Sequence, residues 1–152
     1  MSNSRMSEFQ QEADMLWPLL RFLYRLGRVN DDTLFSTEFP WFGRRVDLAV
    51  LTKTRRTAAY ELKLSDNFTA IDQASKNALA FDRSYAVTAT FPSRHVLDFA
   101  QMMGVGIFQL RADSLKLVLK PSLVGPIEPE LRRRLIARLR RKAKSSSEVT
   151  YV

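Results

Sequence analysis

The chain has no cysteine, one histidine and five glycines in 152 residues. Without thiols there is no disulfide framework, no thiolate zinc site and no iron–sulfur cluster. So few glycines and a single histidine leave no Gly-rich phosphate loop and no Ser-His-Asp pattern. His95 follows Pro92-Ser93-Arg94 and reads as a residue at the start of a helix, on the surface. No apolar run approaches the roughly 20 residues that span a bilayer. The first residues, Met1-Ser2-Asn3-Ser4-Arg5, lack the apolar stretch of a signal peptide, so a cytoplasmic protein is expected.

What is present is ordinary in amount and uneven in placement. Apolar residues make up 45% and charged residues 26%, which suits a soluble globular chain of about one domain. The net charge of +8 is not spread along the chain. Between Leu131 and Lys144 stand Arg132, Arg133, Arg134, Arg138, Arg140, Arg141, Lys142 and Lys144, with no acid among them. The other sixteen basic residues balance the sixteen acids, so the whole excess lies in this segment. A dense positive field is what a polyanion rewards, because each neutralised phosphate releases counterions. A solvated basic helix without a partner is the plainer reading. An acidic protein or a membrane surface is the other class of partner such a helix fits.

Periodicity gives the elements. Ser7 to Leu26 reads as a helix, with Ser7-x-x-Gln10 as a capping box and Pro18 as a kink. Thr33–Phe39, Arg44–Thr52 and Thr57–Leu64 read as strands, separated by a Pro40-Trp41-Phe42-Gly43 turn and a Lys53-Thr54-Arg55-Arg56 hairpin loop. Alternation puts Val46, Leu48 and Val50 on one face of the second strand, and Arg45, Asp47 and Ala49 on the other. In the third strand Ala59, Glu61 and Lys63 share a face. A helix over Asn67–Phe81, a strand over Ser84–Thr90, and a helix from Ser93 to Met103 stopped by Gly104 follow. Val105–Leu110 and Leu115–Leu119 form a last strand pair. Pro121–Pro126 reads as a linker and Pro129 as the start of the basic helix, whose Leu131, Leu135, Ile136 and Leu139 can dock on the body. The tail from Ser145 reads as frayed. The expected class is α/β, with an antiparallel meander extended into a mixed sheet and helices on both faces. Residues 1–120 form its α/β domain, and residues 121–152 the linker, basic amphipathic helix and tail.

Asp47 and Glu61-Leu62-Lys63 are the chemical core of the sequence. On neighbouring strands they would gather two carboxylates and an amine. Oxygen donors suit Mg²⁺ or Mn²⁺, and the Leu62 carbonyl is a natural further ligand. Such an ion polarises a phosphoryl oxygen and acidifies water, while Lys63 can orient that water or neutralise charge in the transition state. The plainer reading makes Glu61 and Lys63 a solvated cross-strand ion ladder. Against it, Ala58, Ala59, Tyr60, Leu62 and Leu64 make this strand look central, where charges are costly.

The chain resembles the PD-(D/E)XK nuclease superfamily, with its restriction-endonuclease-like fold. The likeness rests on the α-β-β-β-α-β order, on Gly43-Arg44-Arg45-Val46-Asp47, and on Ala59-Tyr60-Glu61-Leu62-Lys63, and it runs from Ser7 to about Thr90. It implies an αβββαβ core carrying an extra αββ unit and the C-terminal basic helix. It also implies Mg²⁺- or Mn²⁺-dependent cleavage of DNA or RNA, with Asp47 and Glu61 as metal ligands and Lys63 as the catalytic amine; DNA is the more expected partner. Glu12, with Glu8 as runner-up, matches a further metal-binding acid from the first helix. Gln73 matches a glutamine on the helix after Glu-x-Lys. Where some branches continue to Gln-x-x-x-Tyr, this chain has Asn77.

The expected function is therefore phosphodiester hydrolysis in DNA repair, recombination or mobile-element processing, by a homodimer or a subunit of a larger complex. Arg44 and Arg45 could touch phosphate beside the site, and the basic helix could grip the backbone without reading sequence. Trp41 and Phe42 could stack on a base or plug the turn. The competing expectation is a non-catalytic nucleic-acid-binding or assembly module that works through its basic helix.

Overall fold

The computed structural model describes residues 8–65, 67–122 and 128–145. Ser7, the linker residues 123–126 and the tail from residue 146 lie outside them. The elements are α1 (Leu16–Arg25), β1 (Leu34–Trp41), β2 (Arg44–Leu51), β3 (Thr57–Lys63), α2 (Asn67–Asn77), β4 (Arg83–Thr88), α3 (Arg94–Met103), β5 (Gly106–Leu110), β6 (Leu115–Leu119), α4 (Pro129–Lys142) and β7 (Lys144–Ser145). One mixed sheet has the order β6-β5-β4-β3-β2-β1-β7. The β1-β2-β3 meander is antiparallel, and β4 returns parallel beside β3 after α2. Such a return needs a crossover, which α2 supplies. β5 extends the sheet in parallel and β6 closes it antiparallel.

Helices cover both faces. On one, Leu19, Leu20 and Leu23 of α1 meet Leu48, Val50, Tyr60, Leu62, Tyr85 and Val87. Tyr60 and Tyr85 stack with centroids 5.0 Å apart, and Phe108 joins Tyr85 at 4.9 Å. On the other face α2 and α3 bury Ala70, Ile71, Ala74 and Val96 against Ala86 and Ile107. Beside them Leu135, Ile136 and Leu139 of α4 sit on Phe39, Trp41, Ala49 and Ala59. The basic helix thus docks by the stripe expected of it.

Three local expectations are corrected. The first helix is shorter than its periodicity suggests: a 3-10 turn (Glu12–Met15) precedes α1, and the Asp14 carboxylate accepts from the Gln11 N–H at 3.0 Å. Pro18 is the third residue of α1, where the missing donor has little to lose, and no kink is needed. β1 runs on to Trp41, so the turn is Phe42-Gly43 alone, with φ of 48° and 71°. Both positive φ values are those of a type I′ hairpin turn.

The third correction concerns faces. Val46 lies with the α4 cluster, not with Leu48 and Val50 under α1. β1 does the same: Phe35 is on the α1 side, Phe39 and Trp41 on the α4 side. The register either side is unbroken, Thr37 with Leu48 and Phe39 with Val46. Between them Glu38 has φ 48° and, by that register, faces Asp47. The hairpin therefore rolls over at Glu38 and Asp47, and a strict period of two cannot be carried across it.

Candidate active site at the parting of two strands

β2 and β3 are paired from Leu51 with Thr57 to Leu48 with Tyr60. Continuing that register would pair Asp47 with Glu61, but the ladder stops one step short. The Asp47 side chain takes the place of the lost backbone partner, its Oδ2 accepting from the Leu62 N–H at 2.7 Å. The Leu62 main chain is thus tied to the site through its N–H. The roll of the hairpin and the parting of the strands coincide at Asp47.

Glu61 stands beside it, 2% exposed, and the two carboxyl groups are close enough to act on each other. A like charge so near favours the protonated form of Glu61 when no cation is between them. Burial first, and then the Asp47 charge, push the Glu61 carboxyl up to about 8, against the pull of the Asn77 amide and the Arg44 charge. The solvated ion ladder is excluded for Glu61 by its burial. Lys63 follows on β3, and its Nζ is 3.9 Å from Glu12 Oε1.

Asn77 is the residue that sequence reasoning did not single out for the site. It is fully buried at the end of α2, donates its Nδ2 to Glu61 Oε1 at 2.9 Å, and accepts from an Arg44 guanidinium nitrogen at 2.7 Å. Its place four positions after Gln73, on the same face of the helix, was the signal available in the sequence. Gln73 itself is half-buried on α2, one turn before the residue that reaches Glu61.

Several expected roles are displaced. Glu12 faces Lys63, and among the described residues no group of three or more acidic, histidine or cysteine side chains is placed to hold a metal. Glu8 binds Arg111 at 3.1 Å and the Ala112 N–H. Arg44 is engaged by Asn77, and Arg45 by Glu38 at 3.4 Å on the surface. Arg132 is a clamp: it reaches Asp82 at 2.8 Å and the Arg55 carbonyl, joining α4 to the start of β4. Burial alone would raise the Asp82 carboxyl; the Arg132 guanidinium and the Thr57 N–H outweigh it and hold it below the usual range. Arg133 and Arg134 pair with Glu130 on exposed turns of α4. Arg138 lies over Trp41 at 5.8 Å. Arg140, Arg141 and Lys142 are exposed, and the Lys144 side chain is outside the described part.

The pair fits a hard divalent cation by its donor chemistry. Asp47 and Glu61 offer adjacent carboxylate oxygens, and a cation would relieve the repulsion that otherwise retains a proton. Mg²⁺ commonly takes one or two carboxylates and keeps waters or substrate phosphate elsewhere, so a third acid is not required.

No protein-family model and no curated protein matches the chain. Among solved structures, the SPO1766 protein of unknown function from Silicibacter pomeroyi is similar. The TM-score is 0.62 at 20% identity, over 88% of this chain and 86% of that one. This likeness speaks for a shared α/β fold. No described helix is long and apolar enough to cross a membrane.

Proposed function

We propose that the chain is a metal-dependent nuclease of the PD-(D/E)XK type that hydrolyses phosphodiester bonds in DNA. The observation that carries this reading is the placing of Asp47 beside Glu61 where β2 leaves β3, with Lys63 two residues beyond Glu61. Asp47 and Glu61 would hold Mg²⁺ or Mn²⁺, which supplies Lewis-acid polarisation of a phosphoryl oxygen and acidifies water. The chain's own residues prepare that arrangement. The Leu62 N–H fixes the Asp47 carboxylate, and Asn77, itself held by Arg44, fixes Glu61. Lys63, partly exposed and with its Nζ 3.9 Å from Glu12 Oε1, would meet a phosphate brought to the pair. Purified protein should nick or cleave DNA with Mg²⁺ or Mn²⁺, and Lys63→Ala should abolish this with an unchanged circular-dichroism spectrum. Undiminished cleavage by that variant overturns the assignment.

A second reading, a binding or assembly module that does not cut, is favoured by one observation: Glu61 is sealed at 2% exposure under Asn77. Calorimetric titration with Mn²⁺ separates the two. No heat, beside salt-sensitive DNA binding, selects the module.

A further inference from the structure

The tip of the β1–β2 hairpin is chemically extravagant. A type I′ turn asks for φ above zero at both central residues, and Asn-Gly or Gly-Gly meets that demand at least strain. Here the first position is Phe42, at φ 48°, with 64% of its surface exposed. A bulky side chain in the left-handed region costs backbone energy, and this one returns little burial. Its ring meets Trp41 edge-on at 4.8 Å. Trp41 is buried, and the Arg138 guanidinium lies over its ring.

Between this hairpin and α4 runs an open groove of about 560 Å³. Trp41, Phe42 and Gly43 form one wall; Arg134, Arg138 and Arg141 project from the helix on the other, and among the described residues no acid lines it. Arg141 has no hydrogen-bond or ion-pair partner among the described residues. The groove opens on the sheet face that carries α2 and α4, the face from which Asn77 reaches Glu61. It is also joined to that site through the chain: Arg44, next after Gly43, holds Asn77.

We propose that this groove seats a single-stranded polynucleotide, one base against the ring of Phe42 and its phosphates along Arg134 and Arg141. An exposed ring can take a base only where the base is unstacked, which a duplex does not offer without distortion. The volume is that of a small-ligand pocket, not of a double helix. An acidic peptide would satisfy the arginines but has no flat π-face for Phe42. A bilayer is disfavoured because Leu135, Ile136 and Leu139, the apolar stripe of α4, are already buried in the core. This inference rests on the nuclease reading only for where the strand is led; binding itself needs no metal.

The experiment is fluorescence polarisation of the full chain in EDTA, with labelled oligothymidylate, oligouridylate and a DNA duplex of equal length. Phe42→Asn keeps a residue that tolerates positive φ, so its melting temperature should be equal or higher. It should weaken binding of the single strand by about 5- to 100-fold, as loss of one base–aromatic stack predicts, and of the duplex by less than about twofold. Phe42→Tyr should restore single-strand binding. Arg141→Gln should lower the salt slope by about one contact. The thymidylate and uridylate arms tell which polynucleotide the groove prefers. Unchanged single-strand affinity in Phe42→Asn, an equal loss for duplex, or anionic vesicles or polyglutamate binding as tightly as oligonucleotide would each overturn the proposal. In EDTA no metal-dependent cleavage takes place, so binding is measured on wild-type protein by itself, and failure of cleavage and failure of binding are read separately.

Discussion

The acid pair and the basic helix carry charge in opposite ways. Asp47 and Glu61 are few, enclosed and hydrogen-bonded, and Glu61 is held near neutrality by its surroundings. The cations of α4 are many and mostly on the solvated side, where ion pairs such as Arg133–Glu130 contribute little. Burial, rather than the number of charges, decides how much each one says. A carboxylate that is 2% exposed needs a reason to be there, whereas an exposed arginine does not. α4 repeats the lesson within itself. Arg132 is withdrawn from solvent and pins the helix to Asp82, while Arg140 and Arg141 remain open.

The largest break in this comparison should come from pH. The Glu61 carboxyl is raised in the folded state, so its contribution to stability is full below the unfolded value near 4.5 and is lost as pH rises through about 8. The metal-free protein should lose up to about 1.4 kcal/mol per pH unit across that window. Glu61→Gln should flatten the dependence and leave the variant the more stable of the two at pH 8. Urea denaturation at a series of pH values measures both, and a wild-type profile as flat as the variant's would remove the enclosed-proton account of the pair. Asp82 works in the other direction. Its depressed carboxyl contributes above the usual unfolded value and is lost as pH falls through its folded one.

A smaller effect is expected at the clamp. Arg132→Gln should destabilise by about 1–3 kcal/mol, because it leaves the largely buried Asp82 carboxylate short of a partner. The smallest is expected at Arg140→Gln, within about 0.5 kcal/mol by the same denaturation measurement. If Arg140→Gln costs as much as Arg132→Gln, the distinction between pinned and open cations on α4 fails.

Much of the architecture was legible because it is periodic or punctuated. Ser93 caps α3 through its hydroxyl, and Gly104 ends it in the left-handed conformation, as their positions in sequence suggest. Pro129 opens α4, and Leu135, Ile136 and Leu139 bury the stripe their spacing defines. The placing of Asp47 near Glu61 was legible only as a matter of register, which the short Thr52–Arg56 connection set. What escaped was decided by tertiary geometry. Asn77 stands one helical turn after Gln73, but only the crossover of α2 over β3 brings it to Glu61. The pairing of Glu12 with Lys63 joins the 3-10 turn before α1 to β3, a tertiary contact that spacing along the chain does not announce. The face of Val46 depends on a single backbone angle at Glu38, which no pattern of side chains announces.

That roll at Glu38 and Asp47 also makes β1 and β2 shared property of the two halves of the protein. Leu48 reports to α1 and Val46, two residues away, to α4. Neither layer can open without disturbing the strand that holds the other. The acid pair sits at this crossing, so the last amide protons to exchange in the native protein should be those around Leu48 and Leu62, after any in either helix.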